Sequence, residues 1–253
     1  MRNPVIMNAC VVLCVVLSAS SVWASVEQDR DEINRSFTLP ARARVEVSAI
    51  NGSVDIKAID GDTAIVEIER TARSRAELDC NKVVLRQVLG NLLIKSETGG
   101  CENTVVQVKH RLLLSLPRYV YLSVNGVSGR VNIGEIEGTL SISGNSGTIN
   151  LAQSGRRSRI SGNSGTTSIK LRKLGAGGLE LSGNSGPIKL YIADELNAVV
   201  RVIGISGSVS SELPDVKFIK TGDNDYYARI GSGGPTINVE GSSGHVSLSR
   251  YLE

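Results

Sequence analysis

Seven cations in a stretch otherwise rich in small polar residues are the side chains best suited to holding a ligand. Arg156, Arg157 and Arg159 share one variable turn region. Lys170, Arg172 and Lys173 follow about one repeat later, and Lys189 comes one repeat after that. If successive repeats stack, the groups come near one another. Guanidinium and ammonium groups so placed would grip phosphate or carboxylate groups of an anionic polymer. The plainer role of such residues is to keep turns soluble. The neighbouring turns at Glu135 and Glu137 and at Asp194-Glu195 carry the opposite sign, so the surface is patterned rather than uniformly basic.

Catalytic chemistry finds less to work with. The two histidines, His110 and His245, have no Cys, His or paired carboxylate at metal-ligand spacing, so no metal is expected. His110, between Lys109 and Arg111, reads as an outward or edge residue of a strand; His245 follows a repeat turn. No Gly-x-Ser-x-Gly elbow occurs, and Gly231-Ser232-Gly233-Gly234 runs into Pro235, which is wrong for a phosphate loop opening a helix. Asp is scarce in the repeats. Asp194-Glu195 and, further on, Asp223 and Asp225 read as solvated turn residues. Tyr119 with Tyr121, and Tyr226-Tyr227, suit core or cap packing better than stacking on sugars. No cofactor and no enzyme are therefore expected. The alternative is a carbohydrate-active β-helix enzyme, which would need carboxylates or basic groups clustered on one outward face.

The elements that must position these residues are repeats. Ser143-Gly144-Asn145-Ser146-Gly147 recurs letter for letter at 161–165 and 182–186, with looser copies around it. The closing glycines at 129, 147, 165, 186 and 207 are spaced by 18, 18, 21 and 21 residues, the mark of stacked units. Each glycine precedes an alternating segment such as Ile149-Asn150-Leu151 or Ile169-Lys170-Leu171, and a second strand such as Leu179-Glu180-Leu181 follows. Alternation is strand periodicity, with Ile, Leu and Val inward and Asn, Ser and Lys outward. Gly and Asn suit a sharp corner because they accept positive φ, so Asn145, Asn163 and Asn184 are expected to form a corner ladder. A row of amides gripping an extended ligand is the functional alternative. Calcium-binding repeats would carry Asp in these turns, and there is none.

The N-terminus reads as a targeting signal. Arg2 is its positive end, residues 9–17 its apolar core, and Val22-Trp23-Ala24 a small-x-small cleavage site before Ser25. Nine apolar residues are too few to span a bilayer. Losing Arg2 leaves 27 basic against 25 acidic residues, a balance that argues against nucleic acid as partner. Cleavage also removes two of the four cysteines. The remaining pair, Cys80 and Cys101, reads as a disulfide in an exported chain. Two free thiols or a redox pair are the alternative, though no Cys-x-x-Cys spacing supports them.

Ile50-Asn51-Gly52-Ser53-Val54, a strand ending in Leu116-Pro117, and units of the 124–131 kind resemble a bacterial β-strand-repeat family of unknown function, adhesin-like by label. The likeness runs from about 45 to 248. It implies an exported β-solenoid of the cell envelope and brings no catalytic residues.

The expected fold is all-β: a right-handed β-solenoid of short strands, with an N-terminal hairpin region and a C-terminal cap. Residues 1–24 would be the signal, 25–44 a mobile leader and 45–253 one β-repeat domain. That domain divides into a degenerate part (45–118), regular repeats (119–213) and the cap (214–253). A helical turn is expected at 74–81, with Ser74 as N-cap and Glu77 behind it. The expected role is a non-catalytic structural or adhesin-like binding module, not an integral membrane protein. It would work in the periplasm or at the surface, on an envelope polymer or surface protein.

Overall fold

The computed structural model describes residues 28–101, 106–152 and 155–251. The expected signal sequence lies outside them. The chain opens with Asp29–Thr38 (β1), Arg44–Ser48 (β2), Asn51–Ile59 (β3) and Thr63–Ala72 (β4). A single helical turn, Arg75–Cys80 (α1), leads into the hairpin Asn81–Val88 (β5) and Asn91–Thr98 (β6), then Lys109–Pro117 (β7). The helix starts where Ser74 Oγ accepts the Glu77 N–H at 3.4 Å.

The repeats follow as strand pairs. These are Tyr121–Asn125 (β8) and Ser128–Ile133 (β9), Thr139–Ser143 (β10) and Ser146–Ala152 (β11), and Arg157–Ser161 (β12) and Thr167–Leu171 (β13). Next come Leu179–Ser182 (β14) and Ile188–Ile192 (β15), then Ala198–Ile203 (β16) and Val209–Ser211 (β17). The chain closes with Ile219–Lys220 (β18), Tyr226–Ile230 (β19), Thr236–Glu240 (β20) and Val246–Arg250 (β21).

These strands form two open sheets, not a closed solenoid. One sheet has ten strands in the order β1-β4-β7-β3-β9-β11-β13-β15-β21-β17. The other has eleven, β18-β19-β16-β20-β14-β12-β10-β8-β2-β6-β5. Each repeat gives one strand to each sheet, and neighbouring repeats pair in parallel, as in Leu140↔Ser158 and Asn150↔Asn132. The inward Ile, Leu and Val of both sheets meet in one core. The solenoid expectation fails because periodicity reports the two strands of a unit but not the order of the units. Antiparallel strands extend both sheets, and spatial order departs from chain order.

Two further corrections follow. The expected C-terminal cap is partly interior. β20 lies between β14 and β16, and β21 between β15 and β17, so the last coil is inserted beneath an earlier one. Its Ile237, Val239, Val246 and Leu248 are fully buried, which two covering neighbours explain. Half of the expected leader, 29–38, is β1, antiparallel to β4. Its polar sequence hides two anchors. Ile33 and Phe37 pack on the core. Asp31 accepts two hydrogen bonds from Arg70, one of them 2.8 Å from Nε, and Arg70 also donates to the carbonyls of Leu78, at 3.0 Å, and Asn81.

At the corners, chain crosses chain. A Cβ on Gly147 would stand 1.9 Å from the carbonyl oxygen of Gly129 in the coil below, and one on Gly165 would stand 2.0 Å from that of Gly147. The file runs through Gly52, Gly129, Gly147, Gly165, Gly186, Gly244 and Gly207, and it passes through the inserted coil in its spatial place. Beside it Asn145, Asn163 and Asn184 are buried. Val127 N–H donates to Asn145 Oδ1 at 2.8 Å, and Asn163 N–H to Asn184 Oδ1 at 3.1 Å. Asn145 and Asn184 thus serve backbone donors of the neighbouring coil, Asn163 donates to the Gly165 carbonyl of its own coil at 2.9 Å, and stacked amide pairs form elsewhere, on the outer face.

This packing separates two glycines of one motif. Gly147 has φ 148° and no room, whereas Gly144 has φ 61° and nothing within 4 Å of its would-be Cβ. Gly147→Ala should cost about 3 kcal/mol or more by overpacking. Gly144→Ala should cost only the left-handed backbone penalty, about 1 kcal/mol. Denaturant unfolding of both variants checks this, and equal losses would count against the file.

Candidate functional site

Consecutive strands of a repeat belong to opposite sheets, so the seven cations do not form one patch. Arg157 and Arg159 stand on β12, in the eleven-stranded sheet; Lys170 and Lys189 stand on β13 and β15, in the ten-stranded sheet. Arg156, Arg172 and Lys173 sit in or beside the connections between the two. Arg157 and Arg159 both turn to Glu180 on β14, Arg159 Nε reaching Oε2 at 2.7 Å. Hydrogen bonds from Arg157 and then Arg159 hold the Glu180 carboxyl below its usual range. That pair is committed to its own sheet.

Lys170 and Lys189 have a different setting. Lys170 is the register neighbour of Tyr191, and Lys189 that of Ser168 and Ser247. Tyr251 lies over the end of this face. Lys170 Nζ is 5.5 Å and Arg172 Cζ 5.1 Å from its ring centroid, within cation–π range, and Arg172 Nη2 donates to its hydroxyl at 3.2 Å. From Lys189 a polar row runs back across the sheet through Ser168, Asn150 and Asn132 to Asp55. Asn150 Nδ2 donates to Asn132 Oδ1 at 2.7 Å, and Asn132 Nδ2 to Asp55 Oδ1 at 2.5 Å. A shallow groove of about 460 Å³ follows part of this row, with Lys57 and Lys170 on its rim. Neighbouring strands place these groups about 4.8 Å apart, a spacing an extended polymer can follow. The tyrosines Tyr191 and Tyr251 carried no repeat signal in the sequence and reach the site only through strand register.

The acids are occupied. Asp194, expected as a solvated turn residue, pairs with Arg250, whose Nε lies 2.9 Å from Oδ1. The pairing lowers the Asp194 pKa and raises that of Arg250. His245 has Ser208 Oγ at 2.7 Å from Nδ1 and Ser210 Oγ at 2.8 Å from Nε2. Serine beside histidine is suggestive, but hydroxyls occupy both ring nitrogens, whereas a triad needs a carboxylate to orient the ring. Among the described residues, no three His, Cys, Asp or Glu side chains gather as metal ligands.

His110 is not an outward residue. It points between the sheets and is 3% exposed. Nδ1 donates to the Asn51 carbonyl at 3.2 Å, and Nε2 lies 3.0 Å from the side-chain amide of Asn81. Asn81 in turn binds Thr98 and Ser96, at 2.8 and 3.1 Å. Next to this polar knot a disulfide joins Cys80 to Cys101 across 21 positions. Closing such a loop is worth roughly 3 kcal/mol. The knot has a structural role: it fastens β3, β7 and the β5–β6 hairpin together.

A family model matches residues 29–249. The chain belongs to the family described as Toastrack DUF4097. The name suits an open rack of strands in two sheets better than a closed helix. No curated protein matches this toastrack chain. Among solved structures, a candidate cell adhesion protein from Clostridium sporogenes aligns with 10% identity and a TM-score of 0.44, over 87% of this chain and all of its own. Candidate adhesins from Parabacteroides merdae and Parabacteroides distasonis align with 12% and 10% identity. Each has a TM-score of 0.27, over 87% and 86% of this chain and 96% and 97% of theirs.

Burial is the largest influence on His110 and lowers its pKa. The Asn51 carbonyl opposes it, Arg70 adds to the lowering, and Asp31 opposes again. The unfolded chain takes up a proton near pH 6.5 while the folded imidazole resists it, so stability is full above about 6.5 and falls as pH drops below. His110→Gln keeps hydrogen-bonding capacity without titrating. Thermal unfolding from pH 7 to 5 should show a shallower loss in this variant than in the parent; parallel curves would contradict the assignment.

Proposed function

We propose that this toastrack protein is an exported, non-catalytic binding module of the bacterial cell envelope, which holds an anionic polymer along the outer face of its ten-stranded sheet. The observation carrying this reading is the placement of Lys170, Lys189 and Arg172 beside Tyr191 and Tyr251, at the end of the Asn–Ser row. Among the described residues Lys170 and Lys189 form no ion pair, whereas Arg157 and Arg159 are spent on Glu180. Amines with hydroxyl and amide neighbours at strand spacing suit repeated carboxylate or phosphate groups, and tyrosine faces suit the backbone between them. Export is supported by the basic, apolar and small-residue pattern of the first 24 residues, with cleavage after Ala24. The Cys80–Cys101 bond fits an oxidising compartment, periplasmic or extracellular. No helix among the described residues is long and apolar enough to cross a membrane.

The competing reading, a polysaccharide-cleaving enzyme, needs a carboxylate placed to donate or take a proton. Asp55 at the end of the polar row, Glu180 and Asp194 are engaged by Asn132, by Arg157 with Arg159, and by Arg250.

The test is binding of polygalacturonate and of polyphosphate by the purified protein across a salt series. Lys170→Gln/Arg172→Gln/Lys189→Gln should lose about tenfold in affinity, with a weaker salt dependence. Arg157→Gln/Arg159→Gln should bind like the parent. Equal losses in both variants, or no binding of either polymer, would overturn the sheet-face assignment.

A further inference from the structure

The tip of the β5–β6 hairpin breaks a local rule. Val88 and Asn91 close a two-residue turn in which Leu89 has φ 49° and Gly90 φ 77°. Positive φ at both central positions is the type I′ turn, whose first position favours Asn, Asp or Gly. Leucine is poorly suited to that backbone, and here its side chain is 95% exposed, with Val88 beside it at 62%. The turn is not loosely held. Gln87 Nε2 donates to the Thr38 carbonyl at 2.6 Å, and Arg44 N–H to Asn91 Oδ1 at 2.9 Å. Gly90 is fitted against Pro40, whose Cγ would lie 2.7 Å from a Cβ there. A rigid turn thus displays an apolar side chain that neither local conformation nor core packing calls for.

Two arginine-lined grooves adjoin the tip. Arg44 and Arg86 line a groove of about 390 Å³ with Val88, Leu89 and Leu93. Arg42 and Arg156 line a second, of about 280 Å³, with Tyr119 and Tyr121. The two adjoin, because Arg44 and Tyr121 are register neighbours. Among the described residues these four exposed arginines form no ion pair, whereas Arg118, Arg157, Arg159 and Arg250 each have a carboxylate partner. Glu46 is the one acid lining either groove. Tyr119, 58% exposed, turns its hydroxyl to Glu137, which raises its pKa.

We propose that this tip docks the protein on an anionic lipid surface, with Leu89 and Val88 entering the headgroup boundary and Arg42, Arg44, Arg86 and Arg156 meeting lipid phosphates. The shape decides against a polymer: Leu89 stands almost fully exposed at the rim of its groove, and a polyanion has no use for it. The chemistry is that of interfacial anchors, in which a small apolar insertion and cationic side chains act together and tyrosine sits at headgroup depth. Each arginine near a negatively charged surface adds roughly fivefold to binding. The inference is independent of the polymer face, which lies on the other sheet.

The test is flotation of the processed protein with vesicles of phosphatidylglycerol and phosphatidylcholine in equal parts, against pure phosphatidylcholine. The protein should float with the anionic vesicles and bind the neutral ones far less. Leu89→Asn suits the turn, so it should keep or raise the melting temperature while lowering vesicle binding about tenfold. Arg44→Gln/Arg86→Gln should lower binding and remove the preference for anionic lipid. Arg157→Gln/Arg159→Gln, whose guanidinium groups share the Glu180 carboxylate, should lose less binding than Arg44→Gln/Arg86→Gln. The proposal is overturned if the protein does not float with anionic vesicles. It is equally overturned if Leu89→Asn floats as well as the parent, or if the paired arginines prove as important as Arg44 and Arg86.

Discussion

The molecule depends on a line of seven glycines at which successive coils touch. Each lies so close to the carbonyl of the coil beneath it, or for Gly52 to that of His110, that no side chain fits between. That contact brings the ends of the two sheets together at one edge. It leaves room inside the corner for only a short amide, and Asn145, Asn163 and Asn184 spend theirs on backbone groups that the turn would otherwise leave buried and unpaired. Strand register follows from the line, and register sets which outward side chains are neighbours. The amide row ending at Asp55 and the meeting of Lys170 with Tyr191 are both consequences.

The opposite edge, where the chain crosses from the ten-stranded to the eleven-stranded sheet, has close approaches of its own, Gly138 to Val120 and Gly175 to Gly155, but they form no file through every coil. Its connections differ in length and charge, from Glu135 and Glu137 through Arg156 to Lys173 and Asp194. Variation there leaves the stack intact, as expected when coils contact only their neighbours. The fold thus separates a conformationally fixed edge from a chemically variable one, with two flat faces between them. The proposed polymer face and the hairpin tip both lie away from the glycine line, on surfaces that can change without disturbing it.

Much of this was legible in the residues. The repeat of Ser-Gly-Asn-Ser-Gly with alternating segments gave strands, corners and the inward file of Ile, Leu and Val. Ser74 with Glu77 marked the helical turn, and Gly90-Asn91 between two apolar runs marked the hairpin. What escaped was three-dimensional order. Alternation distinguishes inward from outward but carries no label for which of two sheets a strand joins, so Arg157 and Lys170 looked like neighbours and are not. The pairs holding Ile237 and Val246 match any place in the stack equally well, and nothing local says that they enter below β16 and β17. Polarity concealed β1, because its stabilising partner, Arg70, lies 39 positions from Asp31. His110 between two cations looked exposed, yet strand alternation with Leu112 and Leu114 turns it inward, and Asn81 and Asn51 satisfy it there.

If coils are held chiefly by the glycine line and strand register, one of them can be removed. Deleting residues 148–165 takes out a single 18-residue coil and joins Gly147 to Thr166 in the register that Gly165 now occupies. The account predicts a shorter protein that keeps its β-sheet circular dichroism and unfolds cooperatively, at a lower temperature. Loss of cooperative unfolding, with no folded β-structure remaining, would contradict it, because the coils would then depend on contacts beyond their immediate neighbours.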